Sequence, residues 1–214
     1  NVPAKALFSA AERYRMMPQI DRWVVSTALA KLAEVREFVE EQSAIFAINL
    51  SGQTIGDDDI LEFIEDEIRQ SGLPASSLCF EITESAAVSF LDKAQNFIDH
   101  LRSLGCSIAL DDFGAGLSSF AYLKNFNVDT LKIDGGFIRD ITDNLISESM
   151  VAAITQVAKV MDLETVAEYV ETKKARKLIS KLGVDFAQGH LIGKPAPIDT
   201  VLADLSDKAE SSAG

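Results

Sequence analysis

Six short apolar runs alternate with helical stretches along this chain of 214 residues, and few folds accommodate that alternation. The runs are Ile45–Leu50, Leu78–Ile82, Ser107–Leu110, Thr130–Ile133, Thr165–Ala167 and Val184–Ala187. Short apolar runs separated by helix-period segments read as strands in successive βα units, and such units build a parallel sheet. The fold class is therefore α/β. A doubly wound open sheet shares the alternation, but it usually carries a phosphate-binding glycine turn after its first strand, and Asn49–Leu50–Ser51–Gly52 is no G-x-G-x-x-G. A closed (β/α) barrel is the expected architecture. Since a full barrel of eight units typically needs about 250 residues, this one is expected to be incomplete. One domain is expected over residues 1–208, with a small, polar, frayed tail at 209–214.

The helical segments follow from spacing. Ile20, Trp23, Val24, Ala28, Leu32, Val35 and Val39 predict one helix from about Pro18 to Gln42. Asp57–Asp59 offers capping groups for a helix through Ile60, Phe63, Ile64 and Ile68, which Gly72 and Pro74 end. Further helices are predicted over Ala86–Leu104, around Phe120–Leu123, over Leu145–Met161 and over Lys173–Leu182. Between Asp112 and Ser119, two glycines one residue apart make a loop able to take unusual backbone angles.

Composition removes several functions. A net charge of −13 disfavours binding of long nucleic acid by phosphate neutralisation, so a phosphate ligand would need cations to bridge it. No run of eighteen apolar residues suggests a membrane segment, and the first residues interleave charge without a signal-like apolar stretch. A cytoplasmic setting is the expectation. Cys79 and Cys106 are isolated and read as core thiols rather than as a zinc or disulfide framework. His100 and His190 have no partner at ligand spacing, and neither a G-x-S-x-G elbow nor a P-loop occurs.

Five of the runs end on an acid or amide: Asn49, Glu81, the pair Asp111–Asp112, Asp134 and Glu168. In a barrel, strand ends share one mouth, and that mouth carries the chemistry. Converging carboxylates from different strands suit hard divalent cations, which take oxygen ligands. Capping of the following helices accounts for any one of these acids alone, but less readily for all of them. Asp111 and Asp112 are expected to point in alternate directions along their strand, one into the barrel and one toward the loop or a second cation. Lys132, two residues before Asp134, reads as a neutralising group or a holder of water. Schiff-base chemistry is disfavoured for it, because surrounding acids raise an amine's pKa.

Together, Asn49–Leu50–Ser51, Glu81–Ile82–Thr83–Glu84–Ser85, Asp111 to Ser119, Leu131–Lys132–Ile133–Asp134, Ala167–Glu168–Tyr169–Val170–Glu171–Thr172, Gln188–Gly189 and Lys194–Pro195 closely resemble the EAL domain family of bacterial cyclic di-GMP phosphodiesterases. The resemblance implies a modified (β/α)8 TIM-type barrel that hydrolyses cyclic di-GMP to linear pGpG with two Mg²⁺ or Mn²⁺ ions. It implies metal ligands at Asn49, Glu81, Asp111, Asp112 and Glu168, and catalytic roles for Lys132, Glu168, Glu171 and Gln188. Lys132 and Gln188 would orient the attacking water, and Glu84 would brace the glycine loop. Ser51, Asp134 and Pro195, within the same motifs, are taken as substrate-binding.

The chain departs from the family pattern at two points. No Glu-x-Leu stands before Asn49, so the resemblance implies a chain lacking one ligand and its first strands, itself inactive if that glutamate is essential. Tyr169 stands where the family commonly has glycine, beside Glu168. A homodimer, and linked GGDEF and sensor domains in a longer parent, are the implied partners besides cyclic di-GMP. The alternative is a non-catalytic cyclic di-GMP receptor of similar fold.

Overall fold

The structure is a computed structural model, and it describes residues 4–57, 59–116 and 120–212. Leu117, Ser118 and Ser119 of the expected glycine loop lie outside the described residues. The chain runs through α1 (Ala4–Arg13), α2 (Met17–Ala33), α3 (Arg36–Gln42), β1 (Phe46–Leu50), α4 (Gly52–Ile55), α5 (Ile60–Ser71), β2 (Leu78–Thr83), α6 (Glu84–Ser89) and α7 (Leu91–Ser103). It continues through β3 (Ser107–Phe113), α8 (Phe120–Leu123), β4 (Thr130–Ile133), α9 (Gly135–Asp140), α10 (Leu145–Val160), β5 (Glu164–Ala167), α11 (Lys173–Leu182), β6 (Phe186–Ala187) and α12 (Ile198–Ser212).

All strand pairs are parallel, and the spatial order β1-β2-β3-β4-β5-β6 repeats the chain order. Each connection steps to the next strand through helical segments, which is how βα units wind into a barrel wall. No pairing joins β1 to β6 among the described residues, so the sheet is curled with two edges rather than a closed ring.

The two sheet faces differ in chemistry. One face carries Ile48, Leu50, Phe80, Ile82, Ile108, Leu110, Leu131 and Ile133, all buried in the main core with Val25, Leu29, Ile64, Phe97 and Ile154 from the helices. Burying each such side chain contributes about 1.5–3 kcal/mol, so helix-on-sheet packing is where the stability resides. The alternate positions, Asn49, Glu81, Ala109, Asp111, Thr130 and Lys132, are small or polar and form the inner face.

Sequence and structure part in a few places. The predicted helix Pro18–Gln42 is two helices, because Glu34 and Val35 leave the helix and Val35 takes φ −120°. The apolar spacing runs unbroken through that joint, so periodicity could not mark it. Helix α1 was hidden by interleaved charges. Helix α12, a segment for which no helix is predicted from the sequence, runs from Ile198 to Ser212, and residues 213–214 lie outside the described ones. No described helix is long and apolar enough to cross a membrane.

Candidate metal centre

Strand register brings the inner-face polar groups together. Asn49 pairs with Glu81, Glu81 with Ala109, Ala109 with Thr130, and Lys132 with Val166. Asp111, Lys132 and Glu168 each lie two residues beyond a paired position, so they share a side-chain direction with Glu81 and climb the barrel wall in steps. Lys132 is the hub. Its Nζ donates to Glu81 Oε2 at 2.7 Å and lies 3.0 Å from both Asp111 Oδ1 and Glu168 Oε1.

Lys132 is 4% exposed, and burial, the largest influence on its pKa, favours the neutral amine. The hydrogen bond and charge of Glu81, with the charge of Asp111, outweigh that burial, and the net shift is upward. The ammonium form is locked in. An amine held this way neither attacks a carbonyl nor takes a proton, which disposes of Schiff-base chemistry.

The pair Asp111–Asp112 departs from simple alternation. The register shifts between Leu110 and Phe113, and Asp112 has φ +52°, so the end of β3 is a bulge with a left-handed residue in it. The bulge turns the Asp112 carboxylate back toward its neighbour. Ligand oxygens of Asp111, Asp112 and Glu168 consequently lie within 4.8 Å of one another. Burial and the charges of Asp111 and Asp134 push the Asp112 carboxyl up, against the pull of Lys132. Glu168 is also raised, first by burial and then by Asp111 and Asp112, with Lys132 opposing.

These residues fit a hard cation. Glu81, Asp111 and Glu168 share the one ammonium of Lys132, and Asp112 brings a fourth carboxylate beside Asp111 and Glu168. Asp111 Oδ1 is buried, and its near neighbour is the Lys132 ammonium at 3.0 Å, which it shares with Glu81 and Glu168. One ammonium shared among three carboxylates leaves negative charge over, and buried carboxylates of that kind are costly unless a further cation meets them.

Around the three acids is a cavity of about 370 Å³, also lined by Tyr169, Glu171, Gln188, His190 and Pro195. Gly189 makes that wall possible: a Cβ there would overlap the amide nitrogen and carbonyl oxygen of Val170. Through this close approach Val170 N–H donates to Gln188 O at 2.9 Å and Leu191 N–H to Val170 O at 3.1 Å, which fixes the Glu168–Glu171 segment beside Gln188–His190. His190 Nδ1 is 3.9 Å from Glu171 Oε1. Sequence reasoning set His190 aside because its partner lies on a different segment; only the fold brings the two together.

The remaining expected site residues have other surroundings. Glu84 Oε2 accepts the Gly114 N–H at 3.1 Å, at the start of the glycine loop. Asp134 caps α9, its Oδ1 accepting the Gly136 N–H at 2.9 Å. Asn49 and Ser51 line a separate cavity of about 490 Å³ between β1, α1 and α2. Ser51 Oγ accepts the Thr54 N–H and caps α4, while its own N–H donates to buried Asp21. Asn49 is level with Glu81 in the sheet.

Comparison with known proteins converges on one family. The EAL domain family profile matches residues 1–195. Cyclic di-GMP phosphodiesterase PdeF of Escherichia coli (strain K12) is 39% identical over 202 residues, covering 94% of this chain and 27% of the relative. Cyclic di-GMP phosphodiesterase PdeB of Shewanella oneidensis is 37% identical, covering 89% of this chain and 22% of the relative. The chain thus spans about a quarter of the length of these curated relatives. Among solved structures, the PaMucR phosphodiesterase in complex with c-di-GMP superposes with TM-score 0.87 at 29% identity, over 94% of this chain and 81% of that one. The FimX EAL domain of Xanthomonas citri in complex with c-diGMP gives TM-score 0.82 at 27% identity, over 91% of this chain and 76% of that one.

Proposed function

The chain belongs to the EAL domain family, and from that membership we propose that it is the phosphodiesterase barrel of a larger bacterial signalling protein, hydrolysing cyclic di-GMP to linear pGpG. The observation that carries this reading is the group Asp111, Asp112 and Glu168 around Lys132, at the strand ends and facing a cavity. Asp111, Asp112 and Glu168, with Glu81 behind them, would hold Mg²⁺ or Mn²⁺, and Asn49 would complete the set from β1. When bound, such cations lower the pKa of water and withdraw charge from a phosphoryl oxygen.

The chain's own residues supply position. Lys132 gathers Glu81, Asp111 and Glu168 around one ammonium, which positions the ligands before a cation arrives. Gln188 and Lys132 orient the attacking water, and Glu171 lines the same cavity beside His190. Water oxygen forms the new bond to one phosphorus as the ribose 3′-oxygen leaves in line and takes up a proton, which yields a 5′-phosphate and a 3′-hydroxyl. Glu84, through Gly114, braces the loop that follows β3. The same reading places the protein in the cytoplasm as a homodimer, joined to GGDEF and sensor domains.

The test is chromatographic detection of pGpG from the full-length parent with Mg²⁺ or Mn²⁺. Product formation that stops on chelation is expected. Tight cyclic di-GMP binding without pGpG under either metal would overturn catalysis and leave a receptor.

A further inference from the structure

Tyr169 occupies a position that its residue type makes costly. It follows Glu168 directly and has φ +50°, a left-handed conformation that bulky side chains seldom adopt. Its surroundings hold it there. A Cβ at Gly135 would overlap the Tyr169 ring, so the ring fills space that only glycine leaves open. The Arg139 guanidinium lies 4.1 Å from the ring centroid, and the Val170 backbone just beyond is pinned by Gln188 and Leu191. The ring's orientation is set before any ligand arrives.

If Tyr169 merely plugged the gap at Gly135, it would be buried. Instead it is 49% exposed and lines the same cavity as Asp111, Asp112 and Glu168. A fixed aromatic surface beside a cation-binding acid group suits a ligand with a charged phosphodiester and an uncharged planar ring a few ångströms away. Arg139, against the ring, holds it by a cation–π contact and places a second positive charge, besides Lys132, near the acids.

We propose that Tyr169, held by Gly135 and Arg139, is the platform on which one guanine base of the cyclic dinucleotide stacks, and that it sets affinity for the base-bearing part of the ligand. The inference rests on the cyclic di-GMP reading of this site and adds to it a residue that touches the base.

Calorimetric titration of the whole chain with cyclic di-GMP in Ca²⁺, which offers hard oxygen coordination, tests the inference alongside a separate Mn²⁺ titration without nucleotide. Stacking lost on side-chain removal typically costs about 5- to 100-fold in affinity. Tyr169→Ala is expected to weaken the cyclic di-GMP Kd by about tenfold or more, and Tyr169→Phe to restore what Ala loses. Mn²⁺ affinity should not move in Tyr169→Ala. Tyr169→Asn, which tolerates the left-handed backbone, should match the Ala result and guards against a folding artefact. A cyclic di-GMP Kd within about twofold of the parent in both Ala and Asn variants overturns the inference alone. A parallel fall in Mn²⁺ affinity also overturns it, since Tyr169 would then act by positioning Glu168. Absence of cyclic di-GMP binding in the unsubstituted chain removes the ligand reading and this inference together.

Discussion

Lys132 carries three acids on one ammonium while almost wholly buried, and that crowding has an energetic consequence. Removing one member of a buried ion network leaves the rest uncompensated, typically at about 3–5 kcal/mol. Lys132→Met should therefore lower stability by roughly that amount in urea denaturation, and Mn²⁺ should recover a larger share of it than it adds to the parent. Equal midpoints for variant and parent would show that the acids do not depend on Lys132. The thiols make a second residue-scale prediction. Burial pushes Cys79 up to about 11 and Cys106 up to about 12. Only the thiolate attacks an alkylating probe, and at pH 8 a thiol with a pKa near 11 is ionised to about one part in a thousand. Both cysteines should resist labelling at pH 8 in the native protein and react on unfolding. Fast native labelling of either would contradict their placement.

Among the elements, the end of β3 and the start of α9 decide the site's shape. The bulge at Asp112 adds one residue to a strand that otherwise pairs regularly, and two adjacent acids thereby reach one place. The strand itself was legible in Ser107–Leu110, but the bulge was not, since no local signal in Asp111–Asp112–Phe113 separates a bulged strand end from a loop. The strand-end acids stood out because apolar runs ended on them. That Asn49 lines a different cavity from Asp111 was not legible, because which strand ends share a cavity depends on the helices beside them, here α1 and α2 for Asn49. The Gly135–Tyr169 contact is likewise tertiary, between residues thirty-odd positions apart with no shared pattern. It can be measured as a coupling. Gly135→Ala forces a side chain into the Tyr169 ring and should cost about 1–3 kcal/mol, whereas the same change in a Tyr169→Gly background should cost much less. Additive losses in that double-mutant cycle would show that the ring does not depend on the space at residue 135.

At the scale of the whole molecule, a parallel sheet wound in chain order puts its apolar face under helices and its polar face around a shared mouth. The alternation of runs made this architecture readable, because helix and strand periods differ so plainly. An incomplete barrel was legible in the strand count, and β1 and β6 accordingly stay unpaired with each other among the described residues. A net charge of −13 sets the electrostatic problem that the mouth must solve, since a phosphodiester approaching these acids is repelled unless cations intervene. The most direct measurement of the central claim is therefore Mn²⁺ binding, followed by the electron paramagnetic resonance signal of the free ion, in the parent chain and in Asp111→Asn and Glu168→Gln. The account predicts saturable binding in the parent and a loss of at least about tenfold in affinity in each variant, a shift of about 1.4 kcal/mol, with the circular dichroism spectrum retained. Mn²⁺ affinity equal to the parent's in both folded variants would contradict it.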